Sequence, residues 1–375
     1  MERRVVGCMT GTSIDALDLA LVRVRGAGLD LRAELLRFTS TPLGPLAQRL
    51  RAAAEQAPRS AGAFAALARD LSLVHVLAVR DLLQGERADL VVAHGQTIFH
   101  APPLSWQLLV PSIVAQGVGV PVVADLRAAD LAVGGQGAPI TPLADWVLFR
   151  HLAVRGPVGV VNLGGFANIT RIPTPPAGPG VAVEGARLQD WAESVTGQDL
   201  CACNHVLDTI ARRVLGAPYD DGGQVARAGT PDPAALDDLR RVLGEQASRG
   251  RSLGTLDEAT AWLDRHAARL GGAALCASAV RAIAERVALG VMGCDVVLLA
   301  GGGAKNAALV EGIARLCAGS GASVETTGDH AVPIEAREAM EFAVLGALCE
   351  DRVPITLPRV TGATRRVLAG VRADV

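Results

Sequence analysis

The stretch that decides the fold is Val5-Val6-Gly7-Cys8-Met9, followed by Gly11-Thr12-Ser13 and by the run from Leu17 to Val24. The first five residues read as a buried strand, the glycine with its two hydroxyl neighbours as a turn, and the partly alternating run as a returning strand. That is a hairpin with small residues at its tip. The pattern returns at Val158-Gly159-Val160-Val161-Asn162-Leu163-Gly164-Gly165, after which Ala167 to Ile172 runs back out. Two halves that open alike suggest duplication, although a generic hairpin yields the same pattern.

Between the hairpins lie Leu90-Val91-Val92-Ala93 and Pro121-Val122-Val123-Ala124, short apolar runs with polar residues after each, and helical periodicity from Ala61 to Leu83. Strands alternating with helices predict an α/β sheet. Pro173 to Pro179 and Gly216 to Pro233 are rich in Pro and Gly and read as loops. Asn204 reads as an N-cap for a helix whose stripe Val206, Leu207, Ile210, Ala211, Val214 and Leu215 stops at Gly216, which puts Asp199 in a loop ahead of a helix start. Val280 to Val291 predicts another helix, Val296 to Ala300 a strand, Gly301-Gly302-Gly303 a turn, and Glu335 to Cys349 a third helix.

A chain of 375 residues is long enough for about two domains. Half the residues are hydrophobic and 20% charged, a balance that folds. Lys and Arg number 36 against 38 Asp and Glu, so bulk charge asks for neither nucleic acid nor an anionic membrane. Aromatic residues, at 3%, are too few for base-stacking platforms. The best apolar run, Val287 to Ala300, is short and broken by Asp295, and the apolar stretch after Arg3 and Arg4 ends too soon for a secretory segment. The expected location is the cytoplasm, where the seven scattered cysteines would stay reduced.

Glycine turns at strand ends let backbone N–H groups approach phosphate oxygens, and here they occur at Gly11-Thr12-Ser13, Gly164-Gly165 and Gly301-Gly302-Gly303. Each alone is as well explained by chain reversal. Neither a P-loop nor a dinucleotide fingerprint is present. His94-Gly95-Gln96-Thr97 follows a buried strand, a place suited to ligand binding in an open sheet. Asp125-Leu126-Arg127 through Gly134-Gly135-Gln136-Gly137 would line a cleft or form a surface loop. Cys201, Cys203 and His205 lack the spacing of a zinc site. Asp199 suits a general base, or an acid satisfying the exposed amides of a helix start.

In order along the chain, these segments resemble the 1,6-anhydro-N-acetylmuramic acid kinase family. The resemblance rests on Gly7 to Asp15 with Asp18, His94 to Thr97, Ala124 to Arg127 with Asp130, Gly134 to Pro139, and Asn162 to Thr170. It continues through Tyr219-Asp220 with Gly223 and Gly229, Gly301 to Asn306, Glu338-Ala339-Met340 with Phe342, and Thr361-Gly362-Ala363. It implies an α/β protein of two actin- and hexokinase-like (ribonuclease H-like) domains around a central ATP-binding cleft, with boundaries expected at 1–131 plus 350–375 and at 132–349. It also implies ATP with Mg2+, a small anhydro amino sugar as substrate, and a homodimer.

The resemblance makes Asp199 the base that activates water at the anomeric carbon. It assigns the nucleotide to Gly11, Thr12, Ser13, Ile14, Asp15, Ala16, Leu17, Asp18, Asn162, Gly164, Gly165, Gly301, Gly302, Gly303 and Asn306. The sugar pocket falls to His94, Gln96, Thr97, Asp125, Arg127 and Glu338. Where the family carries Gly-Phe-Asp-Thr-Gly-Pro-Gly-Asn, this chain has Gly197-Gln198-Asp199-Leu200-Cys201-Ala202-Cys203-Asn204. Arg251-Ser252-Leu253-Gly254 stands where the family usually has Lys-Ser-Thr-Gly. Two rival expectations remain: a kinase of this fold for another amino sugar or hexose, and a non-catalytic relative that binds sugar or nucleotide.

Overall fold

The computed structural model describes residues 1–11, 13–176, 183–248 and 257–375, so Thr12 and the 251–254 segment lie outside the described residues. The chain forms two compact units: Met1–Arg150 with Ala182–Val195 and Ala336–Val375, and His151–Val181 with Thr196–Glu335. Among the described residues the strands in chain order are β1 (Glu2–Thr10), β2 (Ala16–Arg25), β3 (Arg32–Pro42), β4 (Leu90–Ala93), β5 (Gln96–Ala101), β6 (Leu104–Leu108) and β7 (Val122–Ala124). They continue with β8 (Val158–Leu163), β9 (Phe166–Ile172), β10 (Thr196–Ala202), β11 (Val296–Ala300), β12 (Ser323–Thr326) and β13 (Val371–Ala373).

In the first unit the sheet order is β13-β7-β4-β1-β2-β3. β1, β2 and β3 form an antiparallel meander, while β4 runs parallel to β1 and β7 parallel to β4. β1 lacks clean alternation because both of its faces are covered. Val6 and Cys8 enter a core with Leu67, Leu71 and Val79 of helix Ala61–Leu83. On the opposite face Gly7 admits helix Arg337–Glu350 so closely that a Cβ there would run into the Ala339 carbonyl. By length and composition Ala61–Leu83, not Val287–Ala300, is the helix able to cross a membrane among the described residues. The 287–300 stretch is instead divided between helix Gly272–Gly290 and β11.

The expected domain boundaries need correction, since 132–150 and 336–349 belong to the first unit. The cause is packing: buried Arg337 forks onto Asp145 of helix Pro142–Phe149 at 2.7 and 2.9 Å and pairs with Glu341 at 2.7 Å. Helix Gly185–Glu193 joins the same unit, with Trp191 edge-on to Trp146 at 5.4 Å and Glu193 paired with Arg366.

The second unit's sheet, β10-β9-β8-β11-β12, repeats the plan: a meander of β8, β9 and β10, then parallel β11 and β12. Helix Gly272–Gly290 supplies Leu275, Ile283 and Val287 to its core. Both units thus have the α/β build expected, with the same strand plan in each. The 216–233 loop holds two helical turns that composition hid, Asp221–Gly223 and Gln224–Ala228. The Asp220 carboxylate starts them by accepting from the Val225 and Ala226 amides at 2.9 Å.

Candidate active site

The carboxyl ends of parallel β1, β4 and β7 share one edge of the first sheet, with Cys8 opposite Ala93 and Ala93 opposite Ala124. Open α/β sheets bind ligands at such an edge. His94 and Asp125 are the next residues along two of those strands. Arg127 Nε donates to His94 Nε2 at 3.0 Å, so that ring nitrogen is unprotonated and Nδ1, 2.9 Å from the Gly95 carbonyl, carries the hydrogen. Burial first, then the Arg127 cation, holds the imidazole well below its ordinary range, so it is neutral at pH 7.

The other arm of Arg127 donates to the Gly137 carbonyl at 2.6 Å. Burial lowers the guanidinium to about 10, with Glu338 and Asp130 opposing the shift, so it remains a cation. The Phe342 ring covers His94 at 4.8 Å. Asp130 ties the Gly137 amide, at 2.8 Å, to the Thr361 hydroxyl, at 2.7 Å, which joins three of the sequence motifs. Asp125, at φ 52, accepts from the Ala128 amide at 3.1 Å. Gln96 donates to the Thr97 carbonyl at 3.2 Å, while its Oε1 is buried with no hydrogen-bond partner among the described residues. The Thr97 hydroxyl accepts from Gln107 at 3.2 Å.

In the β1–β2 turn, the Ile14 amide donates to the Gly11 carbonyl at 3.2 Å, and Ser13 and Asp15 are exposed. Ile14 and Leu17 have no side chain to offer a ligand here. Their side chains are core, 3% and 0% exposed, because the turn anchors itself on them. Ala16 opens β2, and Asp18 pairs across the hairpin with Met9.

In the second unit Asp199 lies opposite Asn168, Asn168 opposite Asn162, and Asn162 opposite Ala300. Directly opposed residues share a face of the sheet. A polar row therefore crosses from Asp199 to the strand that ends in the Gly301 turn. Asp199 sits in β10 rather than in a loop, because a bulge between Asp199 and Cys201 lets the strand continue to Ala202. The next helix begins at Asn204, so Cys203 occupies the capping position and Asn204 instead donates to the Leu163 carbonyl at 3.0 Å.

The amides of Cys203, Asn204 and His205 donate to the Gly165, Gly164 and Gly165 carbonyls at 2.8, 3.0 and 3.2 Å. Gly301 abuts Asn162 and Leu163, and Gly303 abuts Leu163 and Asn204. The expected glycine turns of this unit thus converge on one another. Asn306 has a structural job, accepting from the Leu309 amide at 3.1 Å to cap helix Ala307–Cys317. Burial pushes the Cys201 thiol up to about 12 and Cys203 well above its usual value.

A model of the family described as anhydro-N-acetylmuramic acid kinase matches residues 3–373. The chain belongs to that family. The anhydro-N-acetylmuramic acid kinase of a Synechococcus species is 34% identical over 394 aligned positions, covering 98% of this chain and 99% of the relative. That of Salinibacter ruber is 35% identical over 406, covering 98% and 96%. Among solved structures, component A of the (R)-2-hydroxyglutaryl-CoA dehydratase of Acidaminococcus fermentans aligns with a TM-score of 0.46 and 13% identity, covering 93% of this chain and 99% of that one.

The departure from the family's Thr-Gly-Pro-Gly is absorbed internally. Leu200, Cys201, Ala202 and Cys203 are 0–2% exposed and belong to the second unit's core. Two features of this family member escaped the sequence reading. One is the buried group of Asp145, Arg337 and Glu341, whose partners are too far apart in sequence to form a pattern. The other is Arg51, which reaches the β1–β2 turn and whose only local signal is a basic residue in a helix's last turn.

Proposed function

We propose that the protein hydrolytically opens 1,6-anhydro-N-acetylmuramic acid and transfers the γ-phosphoryl group of ATP to the freed O6, giving N-acetylmuramate 6-phosphate in peptidoglycan recycling. The observation that carries this reading, in a chain of this family, is the row Asp199, Asn168, Asn162 leading to the Gly301 turn. A carboxylate and a glycine turn that can offer backbone N–H donors are the two parts the coupled reaction needs.

Asp199 takes a proton from water as its oxygen bonds to the anomeric carbon, and the bond from that carbon to O6 breaks. O6 takes the phosphoryl group, ADP departs, and the proton passes to solvent. This is the general-base half of an inverting glycosidase joined to a phosphoryl transfer that depends on positioning. The amides around Gly11, Ser13, Gly164, Gly165 and Gly301 to Gly303 would receive phosphate oxygens. Among the described residues no three His, Cys, Asp or Glu side chains gather into a metal cage. Mg2+ binds through phosphates, water and one or two carboxylates, and at the β1–β2 turn Asp15 or Asp18 would supply the carboxylate. When bound, the ion neutralises charge on the transferring group.

Neutral His94 with cationic Arg127 gives the sugar side a fixed shape and charge, flanked by Asp125, Thr97 and Glu338, and Gln96 Oε1 offers an acceptor to a sugar donor group. The side chains of 200–203 are buried, so the departure there leaves the sugar-facing residues named above in place, which favours the anhydro sugar over another hexose. A homodimer would bury exposed apolar side chains of the first unit, Leu73 and Leu77 on helix Ala61–Leu83 and Leu104 and Trp106 on the β5–β6 hairpin. Unpaired cysteines support a cytoplasmic location.

The test is incubation with ATP, Mg2+ and 1,6-anhydro-N-acetylmuramate, with products read by mass spectrometry. The expected product is the ring-opened 6-phosphate, and Asp199→Asn should slow its formation by about 10³-fold, within the range for a general base. Phosphorylated sugar that has not gained water would point to a kinase for a different sugar. Full activity in Asp199→Asn would remove the assigned base.

A further inference from the structure

The β1–β2 turn is gripped from outside by a side chain that no motif marks. Arg51, in the last turn of helix Pro45–Ala54, donates from Nε to the Ser13 carbonyl and from a terminal nitrogen to the Ile14 carbonyl, both at 3.1 Å. The same guanidinium pairs with the Asp15 carboxylate. From inside, the Ile14 side chain is buried in a core that includes Leu43, Leu46 and Leu50, and the Leu43 amide donates to the Asp15 carbonyl at 3.0 Å. Held from both sides, Ile14 adopts φ 55, a conformation that β-branched residues avoid.

The grip has a chemical consequence. In a planar trans peptide the carbonyl and the N–H point in opposite directions. Drawing the Ile14 carbonyl toward Arg51 therefore turns the Asp15 N–H the other way, where it meets no protein acceptor among the described residues. An outward N–H in a tight turn is a donor awaiting an anion.

We propose that Arg51 is a positioning residue for phosphoryl transfer: its guanidinium holds the β1–β2 turn in the shape that presents the Asp15 amide to an ATP phosphate. The proposal rests on the kinase reading above. Arg51 and Asp15 are 44% and 66% exposed, so their ion pair adds little to global stability and the loss should appear in ATP handling.

The experiment compares wild type, Arg51→Ala, Arg51→Lys and, as a control on the same helix, Arg49→Ala. It measures kcat and KM for each substrate, melting temperature, and binding of a non-hydrolysable ATP analogue. Arg51→Ala should lower kcat/KM for ATP by about 10²-fold, the scale of a small misplacement, with KM for the sugar and the melting temperature unchanged. Arg51→Lys should fall between, because a point charge cannot span two carbonyls and a carboxylate. Arg49→Ala should match wild type. Added guanidinium ion should partly restore Arg51→Ala. The proposal is overturned if Arg51→Ala keeps wild-type kcat/KM for ATP and wild-type analogue binding, or if both substrates suffer equally in step with the melting temperature. Should Arg51→Ala fail to fold, Arg51→Lys carries the same comparison. A wild type that makes no phosphorylated sugar would instead refute the kinase reading, while analogue binding still reports on the grip.

Discussion

The two units solve the same architectural problem with different materials. At its strand ends the first unit fixes side chains: His94 to Arg127, Arg127 to the Gly137 carbonyl, and Phe342 over the imidazole. The second fixes backbone: Gly164 and Gly165 carbonyls receive three consecutive amides, and Gly301 and Gly303 press on Leu163. Side chains in a buried cluster can hold a chosen charge and tautomer, which suits discrimination among sugars. Glycine turns offer undifferentiated N–H donors at close range, which suits an anion common to many reactions. On the proposed function, selectivity would fall to the side-chain cluster and charge handling to the backbone turns.

The sharpest way to break this comparison is to give a glycine of each unit a Cβ. Gly301, at φ 79 and ψ 171, sits in a region only glycine readily occupies, and its Cβ would collide with the Asn162 side chain and Leu163 backbone. Gly301→Ala should cost about 3 kcal/mol, from backbone strain and overpacking together. A Cβ on Gly11 would meet only the Ser13 hydroxyl at 3.9 Å, so Gly11→Ala should shift stability by less than about 0.5 kcal/mol. Denaturant melts of the two variants decide it. Equal losses would mean that the first unit's turn backbone is held just as tightly as the second's.

A smaller effect separates the units by pH. His75 in helix Ala61–Leu83 is buried, its Nε2 lacks a partner among the described residues, and burial depresses it to about 4. Above its unfolded value near 6.5 the ring is neutral in both states. As pH falls through 6.5, the unfolded chain binds a proton that the folded chain refuses until about 4, so stability declines over that window. Between pH 6.5 and 5 the loss from this one group is about 2 kcal/mol, and His75→Phe should flatten that part of the curve. Unchanged acid sensitivity in His75→Phe would shift the cause to other groups such as His94.

How much of this was legible in the sequence follows from how local each feature is. The hairpin at Val5 to Val24 and the helix Ala61–Leu83 are set by neighbours within a few residues, and they stand as read. The unit boundary is not local: Arg337 and Asp145 meet across 192 positions, and a run containing Arg337, Glu338 and Glu341 gives no hint of being buried. Asp199 was readable as a candidate base, yet its place in β10 depends on a bulge that only the pairing with β9 reveals. Cys201 and Cys203 stand where the sequence departs from the resemblance, and a sequence alone does not tell that both are buried in the second unit's core.

The finest test of the side-chain half of the comparison is Arg127→Lys. The charge survives, but a lysine cannot donate at once to His94 Nε2 and to the Gly137 carbonyl, which Arg127 reaches at 3.0 and 2.6 Å. Freed of its donor, the His94 ring could turn or change tautomer, and the sugar side would lose shape while the phosphate turns kept theirs. The expected result is a rise of about tenfold in KM for the anhydro sugar, with KM for ATP unchanged, as uniform binding energy is lost on one substrate alone. If both constants move together, the division of labour is wrong, and Arg127 serves the transferring phosphate as well as the sugar.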